Sequence, residues 1–332
     1  MAGCWIGIDV SRDDLDYCCG SAGTPAGVPN TDRGHGRLLT VLRRQQVHGV
    51  ILESTGAYHQ GIVIRLQQAG VPVTVVTPQV ITYFRQSFGR TAKTDALDAR
   101  LLARYGEMHQ PAPSRTPTPN ERDLRILMSR RDDLVGQLVA EKTRRTQCDP
   151  ASRLWPHLAV AIARIEQEVA ALEAEIEDLV ASDPQLAARR ALLRSVPGIG
   201  RIISLVLLAY LPELGELDRR QIAALAGLAP VARDSGTVTG TRSCRGGRAP
   251  VRTAMYQAAL TCVTHAQVVP TVYRDQYREM TGRKGAKRAL VAIARRMLVL
   301  ANAMLRDQLT WDQTAIGQGL HPRPSPTPLL AA

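Results

Sequence analysis

Two apolar runs near the start of the chain each stop on an acid. Cys4-Trp5-Ile6-Gly7-Ile8 leads into Asp9, and Gly49-Val50-Ile51-Leu52 leads into Glu53. Short runs of this kind, bounded by turn residues, read as buried strands. Between and after them the apolar residues take helical spacing, with Leu38, Leu39 and Leu42 in the stretch 36–46 and then Ile62, Ile64 and Leu66. A further strand-like run follows at 71–76. Ser11 to Asp14 forms a polar turn into the apolar segment 15–19, which predicts a hairpin with Asp9 at the end of its first strand. The alternation predicts an α/β domain over residues 1–110, with a largely parallel sheet and helices on its faces. Sites in such sheets form beyond the carboxyl ends of the strands, where Asp9 and Glu53 fall.

The stretch Lys93-Thr94-Asp95-Ala96-Leu97-Asp98-Ala99-Arg100 adds two more carboxylates. Leu97, Leu101 and Leu102 recur at helical spacing, which sets Asp95 and Asp98 together on a neighbouring face. Acids in a first helical turn also favour the macrodipole, and that alone accounts for many of them. Together with Asp9 and Glu53, however, the pair makes a four-carboxylate set. Such a set suits Mg²⁺, with one ion activating the attacking oxygen of a phosphodiester and another stabilising the leaving one.

Residues 120–182 read as a helical arm. Leu124, Leu127, Met128, Leu134 and Leu138 mark a first helix rich in arginine. A second carries strict heptads, Leu158, Ile165, Leu172 and Leu179 in one register and Ile162, Val169 and Ile176 in the other. This spacing is the coiled-coil signature, and it fits either an intermolecular two-stranded coil or an intramolecular hairpin with the preceding helix.

Residues 186–310 form a third, mainly helical region. Ser195-Val196-Pro197-Gly198-Ile199-Gly200 resembles the turn of a helix-hairpin-helix element, whose glycines let backbone N–H groups approach a DNA phosphate. Gly198, Gly200 and Arg201 are therefore candidate nucleic-acid contacts, although a glycine-capped helix junction has the same pattern. Further on, Arg242, Arg245, Arg248 and Arg252 surround a glycine-rich loop. That loop offers two candidate nucleophiles, Ser235 and its rival Ser243, near arginines able to hold a phosphate. The stretch 311–332, rich in glycine and proline, is expected to be disordered.

The chain carries a formal net charge of +12, and between Pro230 and Arg306 fourteen Lys and Arg face three acids. Such an excess points to a polyanionic partner, nucleic acid before membrane. Aromatic residues are only 4% of the chain, which favours phosphate contacts over base stacking. Six cysteines without CxxC or zinc-like spacing fit a reducing cytoplasm, and no stretch of eighteen apolar residues suggests a membrane span.

Taken in order, Ile-Gly-Ile-Asp9-Val, Leu-Glu53-Ser-Thr-Gly and Lys-Thr-Asp95-Ala-Leu-Asp98-Ala resemble the RuvC-like DEDD domain of the IS110 family of insertion-sequence transposases, which includes the pilin-gene DNA invertases. The segments 193–200 and 226–252 resemble that family's C-terminal transposase domain. The resemblance implies a ribonuclease-H-like N-terminal domain, a coiled-coil arm and a small helical domain with a catalytic serine. It also implies recombination of element-end and target DNA, guided by a structured RNA that the element encodes, in a dimer or tetramer. Carried over by position, Asp9, Glu53, Asp95 and Asp98 would bind Mg²⁺, and Ser235 would form a phosphoserine intermediate with DNA. The alternative is a junction nuclease that uses the same acids with water as nucleophile.

Overall fold

The computed structural model describes residues 3–54, 58–88, 95–231, 240, 242–265 and 271–316. They divide into two compact units, Met1–Thr116 and Pro117–Ala332.

In the first unit, β1 (Cys4–Val10), β2 (Asp14–Cys19) and β3 (Ala26–Pro29) precede α1 (Asp32–Leu42). Then come β4 (Val47–Glu53), α2 (Gln60–Gln68), β5 (Val73–Val76), α3 (Pro78–Ser87) and α4 (Asp95–His109). The five strands make one sheet in the order β3-β2-β1-β4-β5. It is mixed rather than largely parallel. β1, β2 and β3 pair antiparallel through tight connections, whereas β1, β4 and β5 pair in parallel across α1 and α2. β3 is not expected from the sequence, since its residues, Ala-Gly-Val-Pro, have no strand signature of their own.

Successive residues of a strand face opposite sides, so each strand serves two layers. Ile6, Ile8, Val10, Val50 and Leu52 pack with Leu38, Leu42, Ile62 and Leu66 under α1 and α2. On the other side, Ile51 and Trp5 meet Ile81, Leu102 and Tyr105 from α3 and α4. Here α4 lies directly on β1. A Cβ on Gly7 would stand 1.9 Å from the Ala99 carbonyl oxygen and 2.4 Å from the Ala103 nitrogen, so only glycine admits the helix this closely.

In the second unit, α5 (Pro119–Thr146) opens with Thr118 and Glu121 in a reciprocal capping box. It is followed by α6 (Leu154–Ser182), α7 (Pro184–Ser195), α8 (Arg201–Tyr210) and α9 (Arg219–Leu225). A short ribbon of β6 (Pro230–Val231) and β7 (Ser243–Cys244) leads to α10 (Ala249–Thr264), α11 (Thr271–Lys284), α12 (Ala286–Asp307) and a 3₁₀ turn at Trp311–Gln313. α5 and α6 form an intramolecular hairpin about 42 Å long at the usual helical rise. Arg130–Glu168, Arg131–Glu173 and Lys142–Glu166 pairs lace its two helices.

The sequence sets 120–182 apart as an arm, but the base of the hairpin belongs to the main core. Leu124, Met128, Ile176 and Val180 are buried with Leu207, Met255, Ile293 and Leu298. The expectation of a disordered tail from residue 311 is corrected at its start. Trp311 is 4% exposed, its ring lies 5.8 Å from Tyr273, and its backbone N–H donates to Ser195 Oγ at 2.9 Å. Trp311 supplies buried area that a composition count of glycine and proline overlooks. Residues 317–332 lie outside the described residues.

Candidate active site

Asp9 and Glu53 stand level on adjacent parallel strands, each one residue beyond the paired Ile8 and Leu52. Both share the face of Gly7 and Ile51, the face that α4 covers. The close approach at Gly7 sets Ala99 over β1, and this brings the first turn of α4 toward the carboxyl ends of the strands. Asp98 belongs to that turn and is buried, 4% exposed. Thus Asp9, Glu53 and Asp98 are gathered at one end of one sheet face. Asp95 begins α4, and its side chain lies outside the described residues.

Asp98 is paired with a guanidinium. Its Oδ1 accepts from Arg85 Nη2 at 2.5 Å, a pair whose side chains are only 6% and 16% exposed. Arg85 comes from the last turn of α3. Next to it, Phe84 packs edge-on against Phe88, Tyr105 and His109 at 5.0, 5.3 and 5.3 Å. Among the described residues no three His, Cys, Asp or Glu converge closely enough to hold a metal ion. The donor chemistry nevertheless fits Mg²⁺, since every candidate ligand is a carboxylate oxygen. The positive charge beside Asp98 is a guanidinium.

One further carboxylate escaped the sequence reading. Asp16 of β2 lies directly opposite Asp9 in the antiparallel ladder, so the two side chains share a face. The hairpin pattern Asp14-Leu15-Asp16-Tyr17 held the signal, because the core-facing residues are Leu15 and Tyr17. Like charges set opposite one another destabilise a sheet unless something offsets them.

In the second unit, Ser235 lies outside the described residues. Ser243 pairs with Val231 in the β6–β7 ribbon, whose two strands bracket the segment 232–242. The base of the ribbon is made by two glycine turns in contact. Gly227 and Gly247 have φ of +70° and +66°, and a Cβ on Gly227 would stand 2.2 Å from the Gly246 carbonyl oxygen. Arg252 Nη1 donates to that same oxygen at 2.5 Å. Burial pushes the Cys244 thiol upward, opposed by the positive charges of Arg295 and Arg252.

The proposed nucleic-acid residues divide into two groups. Arg248 donates to both oxygens of Glu213, at 2.5 and 2.6 Å, and to the Tyr210 carbonyl at 3.0 Å. Arg201 pairs with Glu173 and Glu177. Gly198, at φ +89°, turns toward α10, where a Cβ would meet Cys262 Sγ at 2.4 Å and the Ala258 carbonyl at 2.8 Å. Cys262 Sγ donates to the Pro197 carbonyl, and burial pushes its thiol up to about 12. These residues hold the fold. Gly200, by contrast, begins α8 with open space about it and no side-chain cap, and Arg245 is exposed. Arg242 is also exposed and reaches the Gly240 carbonyl at 3.4 Å. Arg274, which the sequence marks only as one of the fourteen basic residues of 230–306, has two guanidinium nitrogens enclosed without an acceptor.

Comparison with known proteins matches both units. A transposase model for the DEDD domain of IS110 elements fits residues 6–148, and a model of the IS116/IS110/IS902 transposase family fits residues 190–274. The pilin gene-inverting protein of Moraxella lacunata is 27% identical over 330 residues, covering 94% of this chain and 99% of its own. An uncharacterized 43.6 kDa protein of insertion element IS110 from Streptomyces coelicolor is 32% identical over 154 residues, 46% of this chain and 36% of that protein. A solved Thermus thermophilus RuvC in complex with a Holliday junction substrate aligns at 18% identity with a TM-score of 0.26. The alignment covers 34% of this chain and 100% of that one, a likeness too slight to argue from.

Proposed function

This chain belongs to the IS110 family of transposases and is a DNA-recombining enzyme, and from that premise we propose a Mg²⁺-dependent strand exchange that uses Ser235 as nucleophile and an element-encoded structured RNA as guide. The observation that carries the metal-dependent half is the seat of α4 on Gly7, which gathers Asp98 with Asp9 and Glu53 at one end of the sheet. Asp9, Glu53, Asp95 and Asp98 would hold the ion. Bound there, Mg²⁺ would neutralise charge on the phosphodiester undergoing attack.

The remaining steps fall to the chain's own groups. The Ser235 hydroxyl attacks the scissile phosphorus, a serine–phosphate bond forms, and the bond to the departing sugar oxygen breaks. The serine proton passes to a carboxylate of the site and from it to the sugar oxygen, which leaves as a hydroxyl. Reversal of this step, with the hydroxyl of a new strand as attacker, joins the exchanged ends and restores the serine. Exposed arginines of the ribbon region, Arg242 and Arg245, hold the backbone phosphates. The family's working unit is read as a dimer or tetramer, with the acids of one protomer serving the serine of another.

The test is a strand-exchange assay with Mg²⁺, element-end and target DNA, and transcript from the flanking non-coding region, resolved on denaturing gels. A protein–DNA adduct is expected that is lost in Ser235→Ala and absent without the RNA. Cleavage that persists in Ser235→Ala without an adduct would assign the chemistry to water, the route of a junction nuclease. An adduct that moves from Ser235 to Ser243 would reassign the nucleophile.

A further inference from the structure

Asp98 is one of two buried carboxylates among the described residues, and its compensating charge comes from a side chain that the metal-site motif does not include. Arg85 reaches it from the last turn of α3. The aromatic contacts of Phe84 with Tyr105 and His109 fix that turn against α4, so the guanidinium is held in place rather than draped across a surface. A buried carboxylate calls for a compensating partner, and Arg85 is one.

Resting on the reading of Asp9, Glu53, Asp95 and Asp98 as the metal site, we infer that Arg85 is a positioning residue that competes with a divalent cation for Asp98 and must release that carboxylate when the cation binds.

Two considerations lead there. Arg85 Nη2 donates to Asp98 Oδ1 with both side chains nearly enclosed, so a cation already occupies part of this carboxylate's acceptor capacity. Mg²⁺ demands near-octahedral oxygen ligands at about 2.0–2.1 Å, and a cation already seated on one ligand opposes it by both geometry and repulsion. Metal affinity is then set partly by how readily Arg85 lets go, and a phosphodiester oxygen is a suitable acceptor for the released guanidinium.

The test measures Mn²⁺ alone on the full chain, without nucleic acid, by the loss of the free-ion electron paramagnetic resonance signal. Wild type is compared with Arg85→Gln, Arg85→Lys, Asp98→Asn and the double variant Arg85→Gln/Asp98→Asn. Arg85→Gln should bind Mn²⁺ more tightly than wild type, on the order of tenfold, and Mn²⁺ should raise its melting temperature by more. Arg85→Lys, which keeps a charge but loses the planar fork, should fall between them and also covers the case in which the glutamine variant does not fold. Asp98→Asn should weaken Mn²⁺ binding and abolish the gain from Arg85→Gln.

A purely structural pair predicts the opposite sign, since a loosened α3 would weaken metal binding. Equal or weaker affinity in both Arg85 variants, with Asp98→Asn still impaired, would overturn the role of Arg85 and leave the metal site standing. Mn²⁺ binding indifferent to Asp98→Asn, or absent throughout, would overturn the metal site itself, and the role of Arg85 with it.

Discussion

Arg248 shows how far a basic residue can be from the role its neighbourhood suggests. Its guanidinium is spent on Glu213 and the Tyr210 carbonyl, which ties the start of α10 to the end of α8. Arg248→Ala should therefore lower stability by about 1–2 kcal/mol after allowance for its partial exposure, read from the urea midpoint. Arg245→Ala, at an exposed position, should leave that midpoint unchanged and weaken DNA binding. A second pair adds a pH signature. Hydrogen bonds and charge from Arg190, with Arg201 contributing, hold the Glu177 carboxyl below the ordinary glutamate range. Its folded value is the lower one, so the stabilisation is present above the ordinary glutamate value and is lost as pH falls through the depressed value. Glu177→Gln should thus cost stability near neutral pH and make the decline toward about pH 3 shallower, measured as urea midpoints across that range. In sequence these arginines look alike. Glu213 lies 35 residues before Arg248 and Glu177 lies 24 before Arg201, so only the fold distinguishes a clamp from a phosphate contact.

At the scale of elements, the placement of α4 decides most. The sequence made Asp9, Glu53, Asp95 and Asp98 legible as acids at strand ends and in a helix start, because periodicity reports faces and ends directly. It could not show that α4 would lie against Gly7, since a glycine in a strand reads equally as a bulge or a weak point. Gly7→Ala forces a methyl group into the Ala99 carbonyl and must lift the helix. The expected cost is about 3 kcal/mol, at the upper end of ordinary overpacking because the obstacle is backbone. Metal affinity should fall with it, since Asp98 moves with the helix. An unchanged urea midpoint in Gly7→Ala would mean that α4 is not seated as described. The mixed sheet was half legible, with the β1–β2 hairpin marked by its turn and β3 marked by nothing. The heptads of α6 were legible as a seam but silent about the partner, which within this chain is α5.

For the whole molecule, charge and core must be weighed together. The basic excess of 230–306 was visible by counting, and it predicts DNA affinity that falls steeply with salt through counterion release. The boundary of the unit that carries it was not visible, because heptads invite a cut between arm and body near residue 186. The buried Leu124, Met128, Ile176 and Val180 argue against that cut. At about 1.5–3 kcal/mol for each fully buried side chain, the four together are worth roughly 6–12 kcal/mol, comparable to the whole stability of a typical domain. A chain running from 117 to 316 should therefore melt cooperatively and keep salt-sensitive DNA binding, while lacking the four acids and all strand cleavage. A chain running from 186 to 316 should fail to fold, or melt without cooperativity, although it contains every arginine from 242 to 306. Calorimetry on the two fragments, alongside DNA binding at two salt concentrations, separates these outcomes. Cooperative melting of the shorter fragment would show that the hairpin base only leans on the core, and the boundary would then belong at residue 186.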